Sequence, residues 1–404
     1  MPLITLEFGA DAPLPVEIEP GTILSECRGP EGVAGAAALD LVTAAIAKPA
    51  HGPPLEAHVV PGDRAVVALA GGVPQAEAVV AAISGRLGLA GVAAADVEVL
   101  RAAPLEGHDP GRPAGTEADA NAPARFDPVN EAATAYLAAD ASGHPLYLAR
   151  ALVDADVVVA VGGWGWNAAL GGRSLEGELW PAFSRFECRQ DLVVSLARRG
   201  RHALSDWRSS TEEINWQLGV CASLRLVAGR QGSLRAACFG LPDEAGRMAR
   251  AAAAAWCPLV EEPAELTIAT VADPEAGFAA VTRAVAAAAR VTQPGGTICV
   301  ASRVVVGPGI IFLRWRQGAP LEQILHEAVA TRDAALVADA LQARLFARAV
   351  GDRRLVLLSG IDEGTVEELG FGFAAGPEAM ERIAHRAESV AVLHEADRML
   401  PNPG

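Results

Sequence analysis

Residues 156–174 read Asp156-Val157-Val158-Val159-Ala160-Val161-Gly162-Gly163-Trp164-Gly165-Trp166-Asn167, followed by Ala168-Ala169-Leu170-Gly171-Gly172-Arg173-Ser174. Four β-branched valines bounded by acids and glycines predict a buried strand of a parallel sheet. Glycines at the carboxyl end of such a strand let backbone amides approach an anionic ligand. The stretch therefore predicts an α/β protein whose ligand-binding loop follows a central strand.

The composition is that of a globular protein with well-filled cores. Of the 404 residues, 51% are hydrophobic and only 20% are charged, which is enough apolar material for two or three domains. The formal net charge of -16 disfavours nucleic acid and anionic membranes as partners, because both would repel a surface of the same sign. The sequence shows no leader and no run of about 18 apolar residues, so we expect a cytoplasmic protein that is not anchored in a membrane.

The six cysteines lie far apart in the sequence, and no two of them form a Cys-x-x-Cys pair. This spacing fits neither a zinc site nor a disulfide framework. The histidines are also scattered, without the spacing of metal ligands. We therefore expect reduced, mostly buried thiols and no metal site.

The first 130 residues predict a hairpin, a βαβ unit and a long loop. Residues 3–8 and 16–18 predict the two strands of the hairpin. Residues 65–70, 75–87 and 97–100 predict a strand, a helix and a second strand that pairs in parallel with the first. Residues 102–128 are rich in proline, glycine and acids, which predicts a loop that is either functional or a disordered insertion.

Strands and helices alternate through the rest of the chain. Further strands are predicted at residues 224–228, 234–239, 266–271, 296–301, 354–358 and 390–393. Further helices are predicted at residues 34–47, 184–201, 243–255, 277–289, 321–348 and 376–386. We expect the helix at 243–255 to begin at its own aspartate cap, Asp243.

Several blocks of the sequence resemble the nickel-dependent lactate racemase family. These blocks occur in the family's order, and they are the Pro-Gly-Asp-Arg turn at 61–64, the stretch 157–173, the run Pro294-Gly295-Gly296-Thr297-Ile298 and Phe346-Ala347-Arg348. The resemblance covers nearly the whole chain and implies a two-domain α/β fold with parallel or mixed sheets flanked by helices. It implies one domain of residues 1–263 and 349–404, a smaller domain of residues 264–348, and a ligand site in the cleft between them.

Most functional residues of the family are replaced in this chain. The family's loop contains a Gly-Gly-Arg-Lys-Ser run whose lysine tethers a nickel-pincer nucleotide, and Ser174 stands at that lysine. A catalytic histidine of the family falls on Trp164, which cannot accept a proton. The nickel-ligating histidine falls near residues 188–190, which read Cys-Arg-Gln. His108 alone could correspond to the family's other acid/base histidine.

Two further parts of the family's site are also missing. The family's Asp-His-Thr-Arg-Pro motif, which helps to hold the hydroxyacid, is matched by Ala70-Gly71-Gly72-Val73-Pro74. A glutamine and a lysine of the second domain fall on Arg283 and Ala286. Without the lysine and the histidine, the nucleotide would lose its anchor and nickel would lose a preferred ligand. Cys188 could replace that ligand only as a thiolate, and a free cysteine usually behaves as a small buried hydrophobe.

The loop after the central strand is still a candidate for binding a small anion. If Gly171-Gly172-Arg173-Ser174 begins a helix, its amides, hydroxyl and guanidinium suit a phosphate or a carboxylate. The alternative is a tight turn with a surface arginine. Trp164 and Trp166, with Asn167 beside them, could form a wall over the ligand, or one tryptophan could pack into the core.

These observations lead to two main hypotheses about function. In the first, the chain is a degenerate lactate racemase-like protein that carries no nickel-pincer nucleotide and binds a small anionic ligand, such as a hydroxyacid or a phosphate compound. In the second, it is an active 2-hydroxyacid racemase or epimerase with a rearranged site. His108 would then be the base, Arg173 would hold the carboxylate, and the nickel-pincer nucleotide would be the cofactor. A purely structural role in a larger assembly is the third possibility.

Overall fold

A computed structural model describes residues 3–8, 13–102, 124–139, 143, 145–271, 277–331 and 333–404. The candidate base His108 lies outside the described residues, as do residues 103–123 of the predicted loop. The candidate contacts at 164–174 all lie within them.

The first half of the chain contains three antiparallel strand pairs, β1-β2, β7-β8 and β10-β11, and a βαβ unit. Its elements are β1 (Leu3–Leu6), β2 (Leu14–Glu17), β3 (Ile23–Cys27), α1 (Ala36–Ala47), β4 (Ala65–Leu69), α2 (Ala76–Leu89), β5 (Val97–Arg101), β6 (Ala124–Arg125), β7 (Thr134–Ala139), β8 (Pro145–Ala149), α3 (Arg150–Val153), β9 (Val157–Gly163), β10 (Trp166–Asn167), β11 (Gly172–Arg173), α4 (Leu179–Ala182), α5 (Phe186–Arg199) and α6 (Arg201–Gln217).

The second half alternates strands and helices, as predicted. Its elements are β12 (Ala222–Ala228), β13 (Leu234–Gly240), α7 (Pro242–Ala253), β14 (Leu259–Val260), β15 (Ala264–Thr270), α8 (Phe278–Ala289), β16 (Thr292–Ala301), α9 (Ile310–Arg316), α10 (Leu321–Thr331), α11 (Ala334–Val350), β17 (Arg354–Leu358), α12 (Glu363–Glu368), β18 (Gly372–Phe373), α13 (Pro377–Ala384), β19 (Val390–Leu393) and β20 (Asn402–Pro403).

The chain divides into two compact units. Unit 1 comprises Met1–Pro30, Trp166–Ser174 and Ala255–Gly404, and unit 2 comprises Glu31–Gly165 and Leu175–Ala254. This division differs from the domains expected from the sequence, which separated residues 264–348 from the rest. The reason is strand pairing: β15 and β16 lie in the expected small domain, yet β16 pairs with β17 and β15 pairs with β19, which in turn pairs with β3. One sheet therefore unites strands that the prediction had separated.

Unit 2 is built on a six-stranded sheet in the order β13-β12-β9-β4-β5-β6. All neighbouring strands are parallel except β12 and β13. The central strands β4 and β9 are buried on both faces, which explains their unbroken runs of alanine and valine. Val67 and Val159 pack with α1 and α2 on one face, while Val66 and Val158 pack with Phe183 on the other. The predicted βαβ unit and its parallel pairing are confirmed.

Unit 1 is built on a second six-stranded sheet in the order β18-β17-β16-β15-β19-β3, and all of its strands are parallel. One face packs against the β1-β2 hairpin and α13, with Ile18, Ile268 and Met380 in a shared core. The antiparallel hairpin at the start of the chain is confirmed. No helix among the described residues is long and apolar enough to cross a membrane.

Three predicted helices have different bounds in the structure. The helix predicted at 184–201 ends before Gly200, whose φ of +55° breaks it, and α6 follows. The helix predicted at 321–348 is two helices, because Asp333 caps the start of α11 by accepting from the N–H groups of Ala335 and Leu336. Helix α7 begins at Pro242, so Asp243 lies in its first turn and is not its cap.

Candidate functional site

The sheet of unit 2 has a topological switch point between β4 and β9. The chain leaves β4 toward β5 and β6 on one side, and it later returns to β9 on the other side. Open parallel sheets bind ligands outside the carboxyl ends of their strands at such a point. The loop predicted to bind a ligand begins here, because Gly162 and Gly163 end β9.

Backbone atoms fill the space around the glycines at the switch point. A Cβ atom on Gly163 would lie less than 3.0 Å from the backbone of Gly72, and a Cβ on Gly162 would meet the backbone of Gly177 as closely. Real Cβ atoms essentially never approach other atoms at such distances. These glycines therefore allow three backbone segments to pack together.

Trp164 lies in the core of unit 2. Its side chain is only 6% exposed, and its backbone N–H donates to Leu226 O at 2.8 Å. The sequence left open whether Trp164 or Trp166 packs inward. The structure places Trp164 inside, while Trp166 is half-buried.

Residues 166–174 form a β-hairpin in unit 1. Trp166 pairs with Arg173 and Asn167 pairs with Gly172, both antiparallel. Of the two alternatives that the sequence left open, the structure shows the tight turn, and Gly171-Gly172-Arg173-Ser174 do not begin a helix. The physical reason is the turn chemistry: Leu170 N–H donates to Asn167 Oδ1 at 3.2 Å, and Gly171 adopts a φ of +70°, which closes the hairpin.

The hairpin brings five of the predicted ligand contacts together, namely Asn167, Gly171, Gly172, Arg173 and Ser174. Trp164 belongs to unit 2. Asn167 is buried, and its side-chain Oδ1 closes the turn by accepting from Leu170 N–H. Arg173 and Ser174 are half-buried at the end of β11 and are the members of the group whose side chains suit an anion.

A buried ion pair holds the chain where it re-enters unit 2. The side chains of Arg225 on β12 and Glu178 are each 3% exposed, and Nη2 lies 2.5 Å from Oε2. Arg225 Nη1 also donates to Gly177 O. Burial lowers the pKa of Arg225 to about 10, so its guanidinium stays charged at neutral pH. The ion pair fixes Gly177 beside the end of β9. The arginine inside the apolar run of β12 was the signal in the sequence from which this ion pair could have been predicted.

A cavity of about 640 Å³ opens at the carboxyl edge of the unit 2 sheet. It is lined by the first turns of α1 and α2, by Gln75 and by Arg101 at the end of β5. Val97 and Val99 pack toward α1 and α2, and strand alternation directs Arg101 to the same side. The Nε atom of Arg101 is buried and has no hydrogen-bond partner within the described part of the chain. Arg101 is therefore a cationic residue of the cavity lining whose Nε makes no hydrogen bond within the described part of the chain.

Arg125 lies beside Arg101, and Arg189 lies close enough to Arg125 to feel its charge. The parallel register pairs Arg101 with Arg125 at the end of β6, so both side chains leave the same face of the sheet. Arg189 on α5 is buried, and burial followed by repulsion from Arg125 lowers the pKa of Arg189 to about 10. Sequence analysis missed this cluster, although Arg101 directly follows a predicted strand, at the edge where ligands bind.

Cys188, which the resemblance places near a nickel-ligating position, has surroundings that disfavour metal binding. Burial raises the pKa of the Cys188 thiol, and the nearby Asp191 and Glu187 carboxylates raise it further, so the thiolate that would bind a metal is disfavoured. In the described ranges, no three His, Cys, Asp or Glu side chains form a group that could hold a metal ion. All six cysteines are free thiols, in agreement with their spacing in the sequence.

Two solved structures share the fold of this chain. The lactate racemase apoprotein from Thermoanaerobacterium thermosaccharolyticum aligns with a TM-score of 0.73 and 14% identity, over 99% of this chain and 100% of that chain. A protein from Thermotoga maritima aligns with a TM-score of 0.64 and 11% identity, over 91% of this chain and 98% of that chain. No protein-family model and no curated protein matches the sequence. The chain thus has the lactate racemase-like α/β fold that its sequence predicted.

Proposed function

We propose that this chain is a lactate racemase-like protein that binds a small anionic ligand, such as a hydroxyacid or a phosphate compound, without nickel-pincer chemistry. One observation carries the proposal: Arg101 lines a cavity of about 640 Å³, and its buried Nε lacks an acceptor among the described residues. A buried donor without an acceptor costs roughly 1–3 kcal/mol. A carboxylate or phosphate in the cavity would supply the acceptor.

The electrostatics around the cavity support an anion in spite of the net charge of -16. Arg101 and Arg125 place two guanidinium groups at the ends of adjacent strands. The first turns of α1 and α2 have no side-chain cap, so their backbone amides add partial positive charge. Glu77 is the acidic residue of the lining, and it is exposed to solvent. The lining itself contains one arginine and one glutamate, and the two helix N-termini add partial positive charge to it.

The lack of nickel-pincer chemistry is supported by the residues that stand at the family's functional positions. Ser174 cannot form the linkage of the tethering lysine, and Trp164 is a core residue that accepts no proton. Cys188, near the position of the nickel-ligating histidine, is held in its thiol form by its surroundings. At these positions, the chain therefore lacks the side chains that the family uses for hydride and proton transfer.

We expect Arg101→Ala to weaken binding of inorganic phosphate or lactate by roughly 10- to 150-fold, because a charge-assisted hydrogen bond contributes about 1.5–3 kcal/mol. Isothermal titration calorimetry measures the change. Arg235→Ala is the matched control, because Arg235 is an exposed residue of unit 2 on β13. Equal affinities for the Arg101 and Arg235 variants would contradict the site in this cavity. Weakening by Arg173→Ala instead would place the anion at the hairpin.

We also expect the purified protein to carry no stoichiometric nickel and no covalently attached nucleotide. Elemental analysis and intact-mass spectrometry test both points. Near-unit nickel, or a mass excess the size of a nucleotide, would overturn the proposal and support the active 2-hydroxyacid racemase instead. In that case chiral analysis of a hydroxyacid panel, with His108→Ala as the base variant, becomes the next test.

A further inference from the structure

His394 is a buried histidine that ties the edge strand of the unit 1 sheet to its neighbour. It directly follows β19 and is 4% exposed. Its Nε2 lies 3.0 Å from Glu26 Oε1 on β3, and its backbone N–H donates to Cys27 O at 2.9 Å. Since β3 is the last strand of the sheet, His394 makes contacts that hold this edge in place.

The partners of Glu26 determine which nitrogen of His394 carries the proton. Arg28 donates to Glu26 Oε1 from Nε at 3.1 Å and from Nη2 at 2.6 Å. Burial raises the pKa of Glu26, but the hydrogen bonds from Arg28 and His394 outweigh burial and leave the pKa below its ordinary value. An ionised carboxylate can only accept, so His394 Nε2 donates and Nδ1 bears a lone pair.

The Nδ1 atom of His394 is buried and has no hydrogen-bond partner in the described ranges. A proton added there would create a buried cation with an unmatched N–H group. Burial disfavours the protonated ring most strongly, and Arg28, which directly follows β3, also opposes protonation. Glu26 on β3 and Glu7, which directly follows β1, favour it, and the balance leaves the pKa of His394 below its ordinary value of 6.5.

We propose that His394 and Glu26 form an acid-sensitive latch that holds β3 on β19. At neutral pH the uncharged imidazole donates to Glu26 and the edge strand stays paired. On acidification, a state in which β3 has opened takes up the proton more readily than the closed state, because the open imidazole is solvated. Acid therefore loosens β3 and exposes the edge of β19, which offers unpaired backbone groups for association.

The sign of the pH effect follows from linkage. A histidine whose folded pKa is depressed binds fewer protons in the closed state than in the open state, so the closed state loses stability as pH falls through the ordinary value of 6.5. The depressed pKa of Glu26 contributes in the same direction, but only below its own ordinary value of 4.5. Between neutral pH and mildly acidic pH, the latch thus depends on His394.

Hydrogen exchange of the β3 amides tests the latch. The register directs the N–H groups of Ser25 and Cys27 to β19. We expect the protection factors of these two amides to fall between neutral and mildly acidic pH, by up to about tenfold for each unit between the open and closed pKa values of His394. The amides of β17, in the same sheet, should keep their protection. His394→Gln retains an N–H donor for Glu26 but cannot be protonated, so its β3 protection should not change with pH. His385→Gln, at an exposed histidine, is the control and should behave like the unmodified protein.

Two results would overturn the latch. One is β3 protection that does not change with pH in the unmodified protein, and the other is an equal loss in His394→Gln. If His394→Gln does not fold, a ¹⁵N NMR titration of the unmodified protein decides the matter. Protonation of His394 at or above its ordinary pKa, or a hydrogen on Nδ1 at neutral pH, would then contradict the proposal.

Discussion

The Gly163→Ala variant is expected to lose about 3 kcal/mol or more of the free energy of unfolding of unit 2. The added Cβ would lie less than 3.0 Å from backbone atoms of Gly72. Overpacking is least costly when a flexible side chain can move away, but here the obstacle is a backbone segment at the end of a central strand. The strand cannot shift without disturbing its pairing with β4 and β12.

Urea denaturation or thermal unfolding measures the loss, and the melting temperature should fall by about 2–4 °C for each kcal/mol in a unit of this size. Gly165→Ala is the matched control. Gly165 lies two residues further along, and a Cβ there would meet no atom within 4 Å. We expect its stability to stay within about 0.5 kcal/mol of the original protein. If the two variants are equally stable, the close packing at the switch point is not a constraint on the fold.

The central strand could be predicted from the sequence, whereas the role of its glycines could not. A run of valines bounded by glycines indicates a strand buried on both faces, and β9 is that strand. The same residues are compatible with a loop that binds a ligand and with close packing of the strand end against another backbone segment. Which of the two occurs depends on Gly72 and Gly177, and their approach to Gly162 and Gly163 is set by the tertiary fold.

The hairpin at 166–174 shows a second limit of local reasoning. Gly171-Gly172-Arg173-Ser174 suits the start of a helix when it is considered alone. Its pairing depends on Asn167, four residues before Gly171, whose side chain closes the turn. Both arrangements were open in the sequence, and turn chemistry over a longer window favours the hairpin.

The cationic side chains of unit 2 show what topology adds. Arg101 follows a predicted strand, but only the register with β6 places it beside Arg125. Because β6 follows residues 103–123, no local pattern could link Arg101 to Arg125.

The grouping of strands into units could not be predicted locally for a similar reason, since β3 and β19 join the sheet of β15 from distant parts of the chain.

Removing one partner of the Arg225–Glu178 pair is expected to destabilise unit 2 by about 3–5 kcal/mol, because the remaining charge stays buried without its counterion. Glu178→Gln leaves the guanidinium of Arg225 in a site where its side chain is 3% exposed. Arg225→Met leaves the carboxylate of Glu178 in the same surroundings and also removes the donor to Gly177 O. Chemical denaturation of each variant measures the loss.

The double variant Glu178→Gln with Arg225→Met separates the ion pair from packing. It contains no buried charge from the pair, so we expect it to be more stable than the sum of the single losses predicts, with a coupling energy of at least about 2 kcal/mol. Its recovery should be incomplete, because Gly177 O still lacks the donor that Arg225 provided. Acid distinguishes the single variants: protonation can neutralise Glu178 in Arg225→Met, whereas acid cannot neutralise Arg225 in Glu178→Gln. Additive losses, or an equal response of both single variants to acid, would contradict this expectation. The pair would then stabilise unit 2 through the packing of its side chains and not through its charges.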